Sequence, residues 1–422
     1  MEKLSERDKK HLWHPLTQHK THSTMLGITK AQGALLYDED GKEYVDGISS
    51  WYSCMYGHCN PFILERVMEQ MQSLDQVVFS GFTHEPAVKL SEELIKILPE
   101  NQEKLFFSDN GSTSTEVGIK MALQYHFNKG GKRNVMLAFE EGFHGDTFGA
   151  MSVSGLSVYN GPFEDFFIEV ERIPVPTSEN IEPLLKQLKK RMKKNNIAGF
   201  IYEPLVQGAA AMKMHCAEHL EKVLSLLKEH GVLLIADEVM TGFGKTGRYF
   251  ASDYLETKPD IMCLSKALTA GLIPMGLTTC SEEVYMAFYS DDVTKGLFHG
   301  HTYTANPLAC TAALAALELL QTDAIQQNIQ EISAWHREFD EEIKQHPQVA
   351  NTRQLGVIYA LDLNVQMERY GNLRDKLFKH FMNHGVFLRP LGNTIYILAP
   401  YVTTKPQMER IYSAIRSVVG LV

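Results

Sequence analysis

Residues 232–271 read VLLIADEVMTGFGKTGRYFASDYLETKPDIMCLSKALTAG, and this stretch decides the fold. The apolar run Val232-Leu233-Leu234-Ile235-Ala236 stops at Asp237-Glu238, and a second run, Ile261-Met262-Cys263-Leu264, stops at Ser265-Lys266. Short apolar runs bounded by charge are the pattern of strands buried on both faces. In an open α/β sheet, ligands and chemistry collect at the carboxyl ends of such strands. The stretch therefore predicts a sheet that delivers an acid and a lysine to one edge.

The flanking sequence extends that sheet. Residues 104–107 (KLFF) form a short strand that runs into Ser108-Asp109-Asn110-Gly111, and a helix follows from about Ser112 to His126. Residues 134–139 (NVMLAF) are another strand, followed by Glu141-Gly142-Phe143-His144-Gly145-Asp146. Residues 199–202 end at Glu203-Pro204, and residues 277–281 add one more strand. Helical patterns over 178–195 and 219–230 fall between strands, so the alternation predicts a parallel sheet with crossover helices. The basic run Lys186 to Lys194 reads as the solvated face of the first of these helices.

The two ends of the chain have a different texture. Residues 1–30 read as a charged arm, and 33–50 as a hairpin turning at Asp40-Gly41. A long Ala/Leu-rich helix at 308–320 leads into a C-terminal part that mixes short strands (357–363, 395–398) with helices. The expected division is an arm and hairpin (1–50) belonging with a small α+β domain (308–422), and a large sheet domain (51–307) between them.

Composition excludes several classes. The chain has 422 residues, 44% of them hydrophobic, enough for a large core. A formal charge of −10 argues against nucleic-acid and acidic-membrane partners. The six cysteines form no CxxC pair and several sit in apolar runs. Buried, reduced thiols and a cytoplasmic location are the expectation. The seventeen histidines show no ligand spacing with nearby Cys or carboxylates, so no metal site is expected. No apolar stretch is long enough to cross a membrane.

The chemistry follows from the strand ends. A lysine held in a desolvated site loses basicity and becomes an amine nucleophile, so Lys266 is suited to a Schiff base with an aldehyde. Asp237 is placed to hold a proton on a pyridine nitrogen. The helix start at Gly111-Ser112 offers N–H groups and a dipole to a phosphate, and Phe143 offers a face to stack on a ring.

These motifs resemble the class-III aminotransferases, pyridoxal 5′-phosphate enzymes of fold type I. The resemblance is carried by LLIADEVMTGFGKTG (233–247), DIMCLSKALTAG (260–271), DNGSTSTEVGIKMA (109–122) and GFHGDTFGAMSVSG (142–155). It implies a homodimer with small-molecule substrates. It also implies that Lys266 is the Schiff-base lysine, Asp237 the ring-nitrogen partner, Gly111 and Ser112 phosphate ligands, Phe143 the stacking residue, and Thr302 a phosphate contact from the other subunit. Leu12-Trp13-His14-Pro15, Ser49-Ser50-Trp51-Tyr52 and HGHTYTANPLACTAA (299–313) are similar to the branch of the family that aminates 8-amino-7-oxononanoate in biotin synthesis, with S-adenosylmethionine as donor. By that likeness Trp51, Tyr52 and Gly300 line the substrate pocket, Arg389 meets a substrate carboxylate, and Asp146 and Lys245 sit at the polar rim. The chain departs from the branch at Leu16, Tyr52, Phe143 and Lys245. Phe143 carries no hydroxyl to donate, and Lys245 keeps charge without a bidentate fork. The donor is thus left open between S-adenosylmethionine and lysine, and another class-III ω-aminotransferase stays as the alternative.

Overall fold

A computed structural model of the chain describes residues 2–21, 25–157, 160–365 and 372–420. Its centre is a seven-stranded sheet in the order Gln102–Ser108, Gly276–Ser281, Ile261–Leu264, Leu233–Asp237, Ile197–Tyr202, Val135–Phe139, Val170–Ile173. Gly276–Ser281 runs antiparallel to both neighbours; the other pairs are parallel. Hydrophobic periodicity reports burial and not direction, so the parallel sheet expected from sequence contains this one reversed strand.

Strand side chains alternate between two packed faces. Leu233 and Ile235 meet Val117 and Met121 of the helix Gly111–Asn128. Leu234 and Ala236 share the opposite core with Leu220, Val223 and Leu224 of the helix Ala217–Glu229. Each such side chain, fully buried, contributes about 1.5–3 kcal/mol, and both faces must be covered because the strands are apolar throughout. The helix Ile181–Met192 buries Leu184, Leu188 and Met192 at four-residue spacing, leaving its lysines in solvent as expected. The Ala/Leu-rich helix Pro307–Leu320 packs on the helices Pro61–Met71 and Glu85–Ile95, and on the turn Lys266–Thr269.

A second sheet joins the chain ends. The hairpin strands Leu35–Asp38 and Glu43–Asp46 pair with Leu35 opposite Val45, and Val386–Phe387 adds in parallel beside the latter. Ile28–Gln32 forms the outer strand. Residues 28–30 fall in the expected arm and 31–32 between it and the hairpin, because this mostly exposed edge strand has no alternating apolar pattern. A third sheet holds Val349–Leu355, Ile358–Leu363 and Thr394–Ile397. Of the cysteines, only Cys263, Cys280 and Cys310 are buried; Cys54 is half-buried, and Cys59 and Cys216 are exposed, contrary to the general burial expected. Among the described residues no single helix is long and apolar enough to cross a membrane.

Candidate active site

The strand ends converge as the charge pattern predicts. Asp237 closes Leu233–Asp237 and is 3% exposed. Its Oδ2 lies 2.6 Å from His144 Nδ1, and its Oδ1 accepts the Val239 N–H at 3.1 Å. The other ring nitrogen of His144, Nε2, is buried without a partner among the described residues. A buried carboxylate oriented by an imidazole is a fixed negative charge, which suits a cationic ring N–H.

Lys266 begins the short turn that follows Ile261–Leu264, and its backbone is left-handed, with φ of 51°. A non-glycine residue in that region signals strain held by its surroundings. Its Nζ lies 5.2 Å from the centroid of the Tyr52 ring. Burial pushes the Lys266 pKa down, against the pull of Asp237 and Glu203. The amine is thereby made easier to deprotonate, as nucleophilic and proton-transfer work requires.

The helix Gly111–Asn128 starts at the same edge. Asn110 caps it, its side chain accepting the Thr113 N–H at 3.0 Å, while the N–H groups of Gly111 and Ser112 lie in the first turn, where no intrahelical partner exists. The approach of neighbouring segments is close. A methyl group on Gly145, whose φ is 129°, would overlap Ser112, and one on Gly276 would overlap the Asn110 carbonyl. Gly276→Ala is therefore expected to push the cap outward and destabilise the fold by about 1–3 kcal/mol, seen as a lower urea midpoint together with weaker retention of an anionic ligand.

Phe143 is 43% exposed, and its N–H donates to Glu203 Oε2 at 3.0 Å. Glu203 also accepts the Gly208 N–H at 2.9 Å, so it ties the Phe143 loop to the next loop along. Burial, reinforced by Asp237, pushes the Glu203 pKa up to about 7. Sequence analysis assigned no role to Glu203 or His144. For Glu203 the signal was present: an acid ending the fully buried strand Ile197–Tyr202 repeats the Asp237 pattern. His144 had no such mark.

The predicted substrate residues fall in two groups. Trp51 and Tyr52 belong to four consecutive residues, Ser49 to Tyr52, with φ of 49°, 46°, 70° and 71°. Such a left-handed turn of L-residues costs roughly 1–2 kcal/mol per residue, and nothing in the sequence announced it. It sets Trp51 4.7 Å from the Arg389 guanidinium carbon and Tyr52 beside Lys266. Asp146 is exposed, its N–H donating to Ser112 Oγ at 3.2 Å. Gly300 and Thr302 lie on an exposed loop, where the Thr302 carbonyl accepts from Gln76 Nε2 at 2.8 Å. No hydrogen bond or ion pair among the described residues joins that loop to Lys266 or Asp237.

Lys245 differs from its expected place at the rim. Its side chain is fully buried, with Nζ donating to the Gly242 carbonyl at 2.7 Å. The cause is the inward fold of the 238–252 segment around the buried Glu238. That carboxylate accepts from Thr241 Oγ1, Ser252 Oγ and the N–H groups of Ala251 and Ser252. Burial, with repulsion from Lys266, pushes the Lys245 pKa down to about 7. The unfolded chain holds that proton up to about 10.5, so the burial cost is fully present below about 7 and is relieved between about 7 and 10.5. Lys245→Met is expected to be more stable than the unsubstituted protein by a few kcal/mol near pH 7. The gap should narrow as pH rises toward 10 in paired urea titrations.

Comparison with known proteins agrees with this geometry. Residues 16–419 match the family model for aminotransferase class-III. The chain is 42% identical to the adenosylmethionine-8-amino-7-oxononanoate aminotransferase of Synechococcus elongatus, over 96% of this chain and 97% of that one. It is 33% identical to the enzyme of the same name from Helicobacter pylori, over 97% and 96%. A crystal structure of adenosylmethionine-8-amino-7-oxononanoate aminotransferase from Methanocaldococcus jannaschii superposes with a TM-score of 0.93 at 31% identity, covering 98% of each chain. An amine transaminase from an uncultivated Pseudomonas species, solved in its PLP-bound form, superposes at 0.90 with 27% identity, covering 97% of this chain and 98% of that one. A strand-end lysine beside a buried acid, a capped helix start and a match over nearly the whole length thus agree: the chain belongs to the class-III aminotransferases, enzymes of fold type I that work with pyridoxal 5′-phosphate.

Proposed function

We propose that this chain moves an amino group from S-adenosylmethionine to 8-amino-7-oxononanoate, giving 7,8-diaminononanoate for biotin synthesis. The observation that carries the reading is the placement of Trp51 and Tyr52 between Lys266 on one side and Arg389 on the other. An aromatic wall joining an amine to a guanidinium suits a long ketone that ends in a carboxylate. The relatives named above, which bear this activity in their names, support it.

In this reading Gly111 and Ser112 hold the cofactor phosphate at the helix start, Phe143 covers the ring, and Asp237 keeps the ring nitrogen protonated. When bound, the cofactor supplies an aldehyde and an electron sink for a carbanion. Lys266 Nζ is first the anchoring amine, then the base and acid that carries a proton on and off the substrate carbon. Arg389 fixes the far carboxylate. Gly300 and Asp146 border the pocket. The working form is a homodimer in the cytoplasm, with Thr302 completing the partner's phosphate site. The exposed position of Thr302 and the exposed aromatic rings of Phe298 and Tyr303 beside it support an interface there. The small domain comprises 1–50 and 308–422, in keeping with the sheet that joins both ends.

The test is diamine formation, followed by mass spectrometry, from 8-amino-7-oxononanoate with S-adenosylmethionine or with lysine. Diamine formed with S-adenosylmethionine is the expected result. Diamine with lysine alone would reassign the donor, and none with either would overturn the acceptor.

A further inference from the structure

The left-handed turn at 49–52 needs something to hold it. Its own backbone supplies bonds from Tyr52 N–H to the Ile48 carbonyl and from Ser53 N–H to the Ser49 carbonyl. Ser49 Oγ donates to the Leu398 carbonyl at 2.6 Å. Ser53 Oγ donates to the Ser50 carbonyl at 3.0 Å, and further ties lead to Asp46, the last residue of Glu43–Asp46, which is fully buried. Asp46 Oδ2 accepts Ser50 Oγ–H at 2.9 Å and lies 2.8 Å from His58 Nε2, while Oδ1 accepts the Ile48 N–H at 3.2 Å. His58 lies on the segment that leaves the turn, and that segment is pinned by reciprocal backbone bonds between His58 and Gly33. One carboxylate therefore binds the chain before the strained turn, the turn itself and the chain after it.

Burial opposes the imidazolium, yet the hydrogen bond that His58 donates to Asp46 and contact with Cys54 push the His58 pKa up to about 10. Charge-assisted hydrogen bonds in a buried setting are strong and directional, which is what a strained backbone needs in order to persist. Neither residue is among those placed at the cofactor or the substrate.

We propose that buried Asp46 and its largely buried partner His58, acting through Ser50, are the positioning device that holds the 49–52 turn and so sets the wall that Trp51 and Tyr52 present to the ketone. The inference rests on the reading of those two rings as the substrate wall. It separates the substrate side of the pocket from the cofactor side, because among the described residues neither Asp46 nor His58 is hydrogen-bonded to Asp237, Ser112 or Phe143.

The test uses full-length holoenzyme with Trp13→Phe and Trp335→Phe, which leaves Trp51 as the single tryptophan of the three in the chain. Asp46→Asn weakens both side-chain bonds, and Ser50→Ala removes one while sparing the ion pair. In either variant, acrylamide quenching of Trp51 is expected to rise about twofold, and kcat/KM for 8-amino-7-oxononanoate to fall about tenfold, the loss of one hydrogen bond to a charged group. Cofactor absorbance and occupancy should stay at the parent level. Ser50→Ala keeps the question open to measurement if Asp46→Asn fails to fold. Unchanged quenching in a folded variant overturns the proposal. So does a loss of activity that tracks loss of cofactor, since that is a general structural effect. If the parent enzyme does not aminate this ketone, the proposed function fails, and the quenching result still decides the positioning claim.

Discussion

Replacing Lys266 with alanine is expected to lower turnover by about 10⁴-fold or more, because in the proposed function one side chain supplies both the anchoring amine and the proton carrier. The structure shows why no neighbour replaces it. Lys245, the other buried lysine of this region, has its Nζ committed to the Gly242 carbonyl and buried beneath the site. Tyr52, whose ring lies 5.2 Å from Lys266 Nζ, is held neutral by burial, which drives its pKa well up. Steady-state transamination and the visible absorbance of the holoenzyme are the measurements. A variant that retained more than a few per cent of parent activity would remove Lys266 from its central place.

Asp237→Asn is expected to slow the proton-transfer half-reaction by about 10²–10³-fold, the size of effect seen when one preorganised electrostatic partner is lost. Asparagine is close in shape and can keep the bonds to His144 and Val239. What disappears is the charge. Asp237 would hold the proton on the cofactor's ring nitrogen, and asparagine would no longer support the electron sink the cofactor supplies when bound. Single-turnover deamination followed by cofactor absorbance reads this directly, with cofactor affinity measured alongside. A rate within about threefold of the parent at full occupancy would contradict the assignment.

How much of this was legible in the sequence differs by element. The large sheet was readable because its strands are apolar on both faces and end in charge, as at Asp237 and Lys266. The helix start at Gly111 was readable from its small and capping residues. The antiparallel sense of Gly276–Ser281 was not, since burial alternates in the same way whichever direction a strand runs. The turn at 49–52 was invisible because no glycine marks it: four ordinary residues adopt positive φ with bonds made outside the turn, to Asp46 just before it and to the distant Leu398. Lys245 was expected at the polar rim of the pocket from the family likeness alone. Its burial follows from the way Glu238 gathers the 238–252 segment inward, a long-range effect that local pattern does not encode. Glu203 was overlooked although it carries the same signature as Asp237, an acid at the end of a buried strand.

The central claim is that Lys266 is the residue on which the cofactor is carried. Purified holoenzyme reduced with borohydride, digested and mapped by mass spectrometry tests it most directly. The account predicts a pyridoxyl group on the peptide containing Lys266 and on no other. A pyridoxyl group on Lys245 or another lysine, or none at all in protein that is yellow and active, would contradict it.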